Sequence, residues 1–335
     1  MKILFVHTWG MGDLVMALPA LKKLSNFGDV DLLLSSSGHV TLTDLIGKFG
    51  WEIIPPNKKV TFLNLLKIIK LRKKYDLIFF TAGLNPLYIT AMVFILSPTF
   101  SLGQYYSKRL SLLTHQVAHD PKSSLFLNNL NTLNEYFPLS KEDFLDFPPT
   151  LLPEVISSRR FNSLDILIHP GCDEKNAYRR WPSNNFIELI NKIIESRGYE
   201  FRIGVIFGPS EEPLYQEFFD CFGDNRSVRL FKGLKLSEVF QLIKSSRQVL
   251  TTDSGIGHLA ALFSVPVTSI FGPADPRKTA PIGVYSKVIC PRINLSCMPC
   301  VKPGGQYGCS AQTCLKSISV ETVFNALETD FDASE

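Results

Sequence analysis

The chain has 335 residues, of which 45% are apolar and 20% charged, and it carries a formal net charge of +4. This length points to two domains, and the composition to a soluble globular protein with ample core. A membrane-spanning chain is excluded, since the longest apolar stretch, Leu87–Leu96, is too short to cross a bilayer. Met1–Val6 runs straight into Gly10, Gly12 and Asp13, a strand and turn rather than a cleavable leader, so a cytoplasmic location is expected. There the seven cysteines are expected as thiols or metal ligands, not disulfides. The charge excess lies wholly in residues 1–150, with 15 Lys/Arg against 11 Asp/Glu, while residues 151–335 hold 20 of each. An anionic partner is therefore expected at the N-terminal half, and the modest net charge does not call for nucleic acid.

Ile3–Val6 predicts a buried strand, Thr8–Asp13 a glycine-containing loop, and Leu14–Leu24 a helix that Pro19 should bend or restart. Val30–Leu34 predicts a second strand, Thr41–Phe49 a helix, and Trp51–Ile54 a short strand closed by Pro55 and Pro56. Phe62, Leu65, Leu66 and Ile69 form one stripe of an amphipathic helix, with Lys67, Lys70, Arg72, Lys73 and Lys74 beside it. That helix presents either a solvated face or a contact with an anionic glycolipid or membrane surface. Asp76–Thr81 predicts a buried strand leaving through Gly83-Leu84-Asn85-Pro86, and Leu87–Leu96 a buried helix. Segment 98–147 is less periodic and reads either as an acceptor-facing loop or as a helical excursion.

Residues 151–160 predict a linker after an N-terminal domain, 1–150. Beyond it, strands are expected at 164–168, 201–207 and 228–231, and helices at 183–196, 211–222 and 236–246. Two more strands follow, one from Val249 and one from Pro266 to Phe271. Two such series predict an α/β protein of two doubly wound parallel sheets facing a cleft. The second domain is expected over 161–317, with a cysteine-rich loop at 297–314, and 318–335 as a C-terminal helix and tail.

Thr251–Ala261 reads as a strand end, a tight Asp253-Ser254-Gly255-Ile256-Gly257 turn and a helix start. Such a start offers unpaired N–H groups and the positive end of the helix dipole, which suit a phosphate. Thr252, Asp253, Ser254, Gly255 and His258 are the candidate contacts, and a capped core helix is the alternative. Gly10-Met11-Gly12-Asp13 lets backbone approach a ligand and sets a carboxylate past a strand end, as general base or as helix cap. A third glycine is missing, so this is not the dinucleotide fingerprint, and no hydride-transfer constellation accompanies it. His169 closes a strand. After it, Lys175, Arg179 and Arg180 offer either charge for a departing diphosphate or ordinary surface charge. Glu211, after Gly208-Pro209-Ser210, either holds ribose hydroxyls or favours a helix dipole. Cys297-x2-Cys300-x8-Cys309-x4-Cys314 has the ligand count of a closed structural zinc or iron site, with free thiols or a redox-labile pair as alternatives.

Five motifs fall in the order and rough spacing of one family. They are Met-Gly-Asp-Leu-Val-Met-Ala-Leu-Pro-Ala-Leu (11–21), Arg-Arg-Trp-Pro (179–182), Thr-Asp-Ser-Gly-Ile-Gly-His-Leu-Ala-Ala (252–261), Phe-Gly-Pro-Ala-Asp-Pro (271–276) and Cys-Leu-Lys-Ser-Ile (314–318). Over nearly the whole chain they resemble the family 9 glycosyltransferases, the ADP-heptose:lipopolysaccharide heptosyltransferases. The resemblance implies a GT-B fold of two Rossmann-like domains, with the acceptor on the first, the nucleotide sugar on the second, and inversion at the anomeric carbon. It implies that Asp13 is the base and that Arg179 contacts the diphosphate where lysine is common. Asp253, Ser254, Gly255 and His258 would surround the nucleotide phosphates. His7 stands where a lysine is often found, a departure on the acceptor side, where Gly10 and Gly12 also lie. Cysteine-bearing loops occur in part of the family, including members that hold iron. The implied reaction moves a heptose from ADP-heptose to a lipopolysaccharide core or related glycan, without a metal in the chemistry. Its setting is the cytoplasm, with peripheral contact at the inner membrane. Another nucleotide sugar or a protein acceptor is the alternative within the fold; a nucleotide-binding module without turnover is the alternative outside catalysis.

Overall fold

The computed structural model describes residues 1–53, 62–106, 112–140, 164–300, 309 and 311–332. The linker expected at 151–160 lies outside them. The chain divides into two compact units, Met1–Pro153 and Glu154–Glu335.

The N-terminal unit opens with β1 (Lys2–His7), buried from Ile3 through His7. A strand apolar on both faces is what the middle of a parallel sheet requires. There follow α1 (Met11–Leu24), β2 (Asp29–Leu34), α2 (Ser37–Thr43), β3 (Gly50–Ile53), α3 (Phe62–Lys70) and β4 (Leu77–Phe80). The unit closes with α4 (Pro86–Leu96), β5 (Phe100–Tyr105), β6 (His115–Ala118) and α5 (Leu125–Asn134). All strands are parallel, in the order β3-β2-β1-β4-β5-β6, so the progression reverses between β1 and β4.

Several local expectations are corrected. Helix α1 begins at Met11 rather than Leu14 and runs unbroken through Pro19. Proline there removes one N–H bond, and burial of Leu14, Leu18, Leu21 and Leu24 outweighs that loss. Helix α2 spans only Ser37–Thr43, with Ser36 accepting the His39 amide as its cap. Within segment 98–147 the described residues supply two strands and a helix rather than a loop. Helix α4 is not buried all round: Ile89, Met92 and Val93 are covered, but Leu87 and Phe94 are 62% and 74% exposed.

The C-terminal unit begins with β7 (Ile166–His169), a 3-10 turn at Glu174–Arg179, α6 (Ser183–Arg197), β8 (Ile203–Ile206) and α7 (Glu212–Phe222). Next come β9 (Val228–Phe231), α8 (Leu236–Lys244), β10 (Val249–Thr252), α9 (Gly255–Leu262) and β11 (Val267–Ile270). It ends with α10 (Pro276–Thr279), β12 (Ser286–Ile289), α11 (Thr313–Lys316) and α12 (Val320–Asp332). The parallel sheet order is β12-β11-β10-β7-β8-β9, the same wiring as in the first unit, with its reversal between β7 and β10. Its core holds the fully buried Trp181, edge-on to Phe186, whose indole N–H donates to the Ile318 carbonyl at 3.0 Å. That bond ties the Arg-Arg-Trp-Pro segment to the approach to α12.

Open parallel sheets bind ligands at the carboxyl ends of strands where the order reverses. Each unit has one such point. In the first it is flanked by the loops after β1 and β4, in the second by those after β7 and β10.

Candidate active site

In the N-terminal unit the loop after β1 is set by Gly10. Its amide donates to Asp13 Oδ2 at 3.1 Å, which places Asp13 in the first turn of α1. His7, fully buried, has Nε2 at 3.3 Å from the Gly10 carbonyl and Nδ1 at 3.1 Å from Thr81 Oγ1. A carbonyl only accepts, so Nε2 carries the hydrogen and Nδ1 accepts the Thr81 hydroxyl. The Val6 carbonyl keeps the Thr81 amide as its donor. Burial and the facing His39 ring, 5.4 Å away, push the His7 pKa down to about 3, so it is neutral. His39, held by Ser35 Oγ at 3.0 Å, is lowered by burial to about 4. Gly12 lies in the first turn of α1 beside Asp13.

In the C-terminal unit, His169 at the end of β7 meets the β10 exit. Its Nε2 lies 3.5 Å from Glu211 Oε2, and its Nδ1 lies 3.0 Å from Ser254 Oγ. The carboxylate must accept, so the chain of donors runs from Thr251 hydroxyl to Ser254, from Ser254 to His169, and from His169 to Glu211. Glu211 also takes the Gly208 amide at 2.6 Å. Burial alone would raise the Glu211 pKa, but the hydrogen bond and field of His169, with the Gly208 amide and Arg180, hold it below the usual carboxylate range. Gly171 makes this approach achievable: a Cβ there would lie 2.2 Å from the Glu211 carboxylate.

Because the Ser254 hydroxyl is spent on His169 and Thr251, it does not cap α9. The first amides of α9, at Gly255, Ile256 and Gly257, keep the unpaired N–H character of a helix start. Asp253, buried in the same turn, has Arg179 Nη1 at 3.2 Å from Oδ2. Burial raises the Asp253 pKa, and the Arg179 charge works against that rise. His258, in the first turn of α9, donates to the Thr279 backbone, and burial lowers it to about 4. Thr252 is turned inward, its hydroxyl donating to the Gly171 carbonyl at 2.8 Å. Arg180 braces the loop by donating to the Cys172 carbonyl and Glu174, while Lys175 is exposed on the 3-10 turn.

The four cysteines lie in one neighbourhood. Cys300 is hydrogen-bonded to Cys297 and sits in the field of Cys314 and Cys309, and burial first, then these neighbours, push its thiol up to about 11. Cys309 Sγ accepts the Gln312 amide at 3.3 Å. Among the described residues no group of three or more Cys, His, Asp or Glu is spaced to hold a metal ion. The donor types suit zinc or iron.

Sequence reasoning missed the His7–Thr81 and Thr251–Ser254 bonds and the Gly171–Glu211 contact. The one local sign was a histidine closing an otherwise apolar strand, which happens twice, at His7 and His169.

Two parallel sheets of identical wiring, each flanked by helices, give the architecture of the GT-B fold. The profile of glycosyltransferase family 9 (heptosyltransferase) matches residues 67–310, and the chain belongs to that family. The lipooligosaccharide heptosyltransferase 2 of Campylobacter jejuni is 27% identical over 339 residues, spanning 96% of each chain. Among solved structures, Escherichia coli ADP-heptose lps heptosyltransferase II superimposes with a TM-score of 0.74 at 17% identity, covering 100% of this chain and 99% of that one. Escherichia coli heptosyltransferase WaaC with ADP gives 0.71 at 18%, covering 98% and 100%.

Proposed function

We propose that the protein transfers heptose from ADP-heptose to a lipid-linked lipooligosaccharide or lipopolysaccharide core, with inversion. The observation that carries this reading is the Arg179–Asp253 pair beside the uncapped start of α9. Asp13 takes the proton of the acceptor hydroxyl as its oxygen bonds to C1 of the sugar. The C1–O bond to the diphosphate breaks, and its electron pair leaves with ADP. Arg179, with Lys175 and the amides of Gly255–Gly257, takes up the charge that develops there. Neutral His258 and the His169–Ser254 bond hold that turn in place. Both Glu211 contacts described above fall on Oε2, so Oε1 is assigned to a ribose hydroxyl.

The four-cysteine loop is assigned a structural zinc or iron, outside the chemistry; metal content per chain, compared with Cys297→Ser/Cys300→Ser, tests it. A lipid-linked acceptor places the enzyme at the cytoplasmic face of the inner membrane. No helix of the described residues is long and apolar enough to cross a membrane. The face assigned to the lipid is α4 with α3. Leu87, Ala91 and Phe94 form an exposed stripe on α4, and Lys67, Lys70, Arg72, Lys73 and Lys74 are exposed next to it. The Lys73 amide bonds the Leu96 carbonyl at 2.9 Å, joining the basic run to the end of α4. From Phe62 to Tyr75 there is no acidic residue.

ADP-heptose should raise the melting temperature, as a ligand of the native state does, and be consumed when a lipid-free core oligosaccharide is supplied. Protection by UDP- or GDP-sugars alone would overturn the donor assignment. Binding of ADP with no donor consumed by any acceptor would favour a nucleotide-binding module.

A further inference from the structure

Close in sequence to Asp13, side chains from two strand exits meet at one glycine, and a histidine from a third exit lies against one of them. Trp9 follows β1, Tyr106 follows β5 and His119 follows β6; the glycine is Gly83, after β4. A Cβ on Gly83 would stand 3.7 Å from Trp9 Nε1, and its φ of +92° already demands glycine. The Tyr106 hydroxyl is hydrogen-bonded to the Gly83 backbone, and the Tyr106 ring lies 4.5 Å from that of His119. His119 is fixed in turn, its Nδ1–H donating to Gln104 Oε1 at 2.8 Å. Gln104 is buried and donates to Asn128 and Thr132 of α5.

The support is thus rigid and buried, while the rings it carries are not. Trp9 is 50% and Tyr106 47% exposed, at the carboxyl edge of the sheet. Large aromatic faces held open by a built scaffold suit a ligand with one apolar face and polar edges. A pyranose ring has that character, since its C–H groups lie on one face and its hydroxyls at the rim. Trp9 directly precedes Gly10, whose amide Asp13 accepts, so a sugar stacked there is delivered to the base.

We propose that Trp9 and Tyr106 form an acceptor platform on which a sugar ring of the core glycan stacks, with His119 and Gly83 as its positioning residues. This rests on the reading of a glycan acceptor made above. The probe is a lipid-free lipooligosaccharide core oligosaccharide, added without donor and then with ADP-heptose. Without donor, it should quench the fluorescence of the wild type and leave that of Trp9→Phe nearly unchanged. With donor, Trp9→Ala and Tyr106→Ala should raise the acceptor KM at least tenfold with the donor KM unchanged. Tyr106→Phe, which keeps the ring, should stay within threefold. An unchanged acceptor KM in Trp9→Ala, or quenching that survives in Trp9→Phe, would overturn the platform. Binding with quenching but no turnover would leave the platform standing and sink the transfer reaction instead.

Discussion

His7 and Asp13 grip the same residue from its two ends: His7 donates to the carbonyl of Gly10, and Asp13 accepts its amide. The carboxylate proposed as general base is thereby referred, through one glycine, to a histidine locked inside the sheet. Position, more than burial, is what this arrangement controls.

Asp13→Asn keeps an oxygen that accepts the Gly10 amide, so the fold of the loop should survive. Removing a general base costs roughly 10²–10⁴ in rate. We expect kcat to fall by that factor with an unchanged melting temperature. Turnover within tenfold of wild type would remove Asp13 from the role.

His7→Leu removes the imidazole from the Gly10 carbonyl, which keeps the Leu14 amide, and from the Thr81 hydroxyl, which can turn to the Val6 carbonyl 3.2 Å away. Each lost hydrogen bond is worth about 0.5–1.5 kcal/mol. Denaturant unfolding should show a loss in this range, and kcat should drop while ADP affinity, measured by calorimetry, stays put. His7→Gln, which can still donate, should recover part of both losses.

Arg179→Ala strips the cation from a buried aspartate, so both binding and stability should suffer. ADP affinity is expected to fall at least tenfold, with Arg179→Lys in between because it keeps charge but not the fork. Adding Asp253→Asn to Arg179→Ala should restore stability but not ADP affinity.

Three histidines are buried neutral: His7 at about 3, His39 and His258 at about 4. Their pKa values rise toward 6.5 on unfolding, so below that pH the unfolded chain binds more protons and native stability falls. Above pH 7 the effect vanishes; between about pH 6 and 4 three protons correspond to at most about 4 kcal/mol per pH unit. Unfolding free energies measured across this window should show the decline, and His39→Asn should reduce its slope by about one proton.

Cosedimentation with vesicles containing phosphatidylglycerol should exceed that with phosphatidylcholine alone and weaken as salt is raised. Leu87→Ser/Phe94→Ser and Lys70→Glu/Lys74→Glu should each reduce it severalfold, with transfer to a lipid-free acceptor unchanged. Equal binding by all of these proteins would remove α3 and α4 from the lipid-facing role.

The sequence made the doubly wound pattern legible because apolar strands such as Ile3–Val6 and Val249–Thr252 end in Gly, Asp and Ser turns that cannot continue a strand. It hid β5, where Gly103 and the buried amide of Gln104 break the apolar run, and β12, an edge strand exposed at Lys287 and Val288. It misjudged α4, because a helix with no polar side carries no mark of which face meets water. Candidate residues near one another in sequence, such as Asp253, Ser254 and His258, could be grouped from spacing alone. The Gly171–Glu211 approach and the His7–Thr81 bond could not, since they arise from which parallel strands become neighbours.

The Trp181 indole, two residues after Arg179 in the motif it anchors, clasps the carbonyl of Ile318 far down the chain. Shortening the chain ahead of Ile318 would therefore slacken the segment that carries Arg179 from a remote end, with Arg179 and Asp253 themselves still in wild-type form.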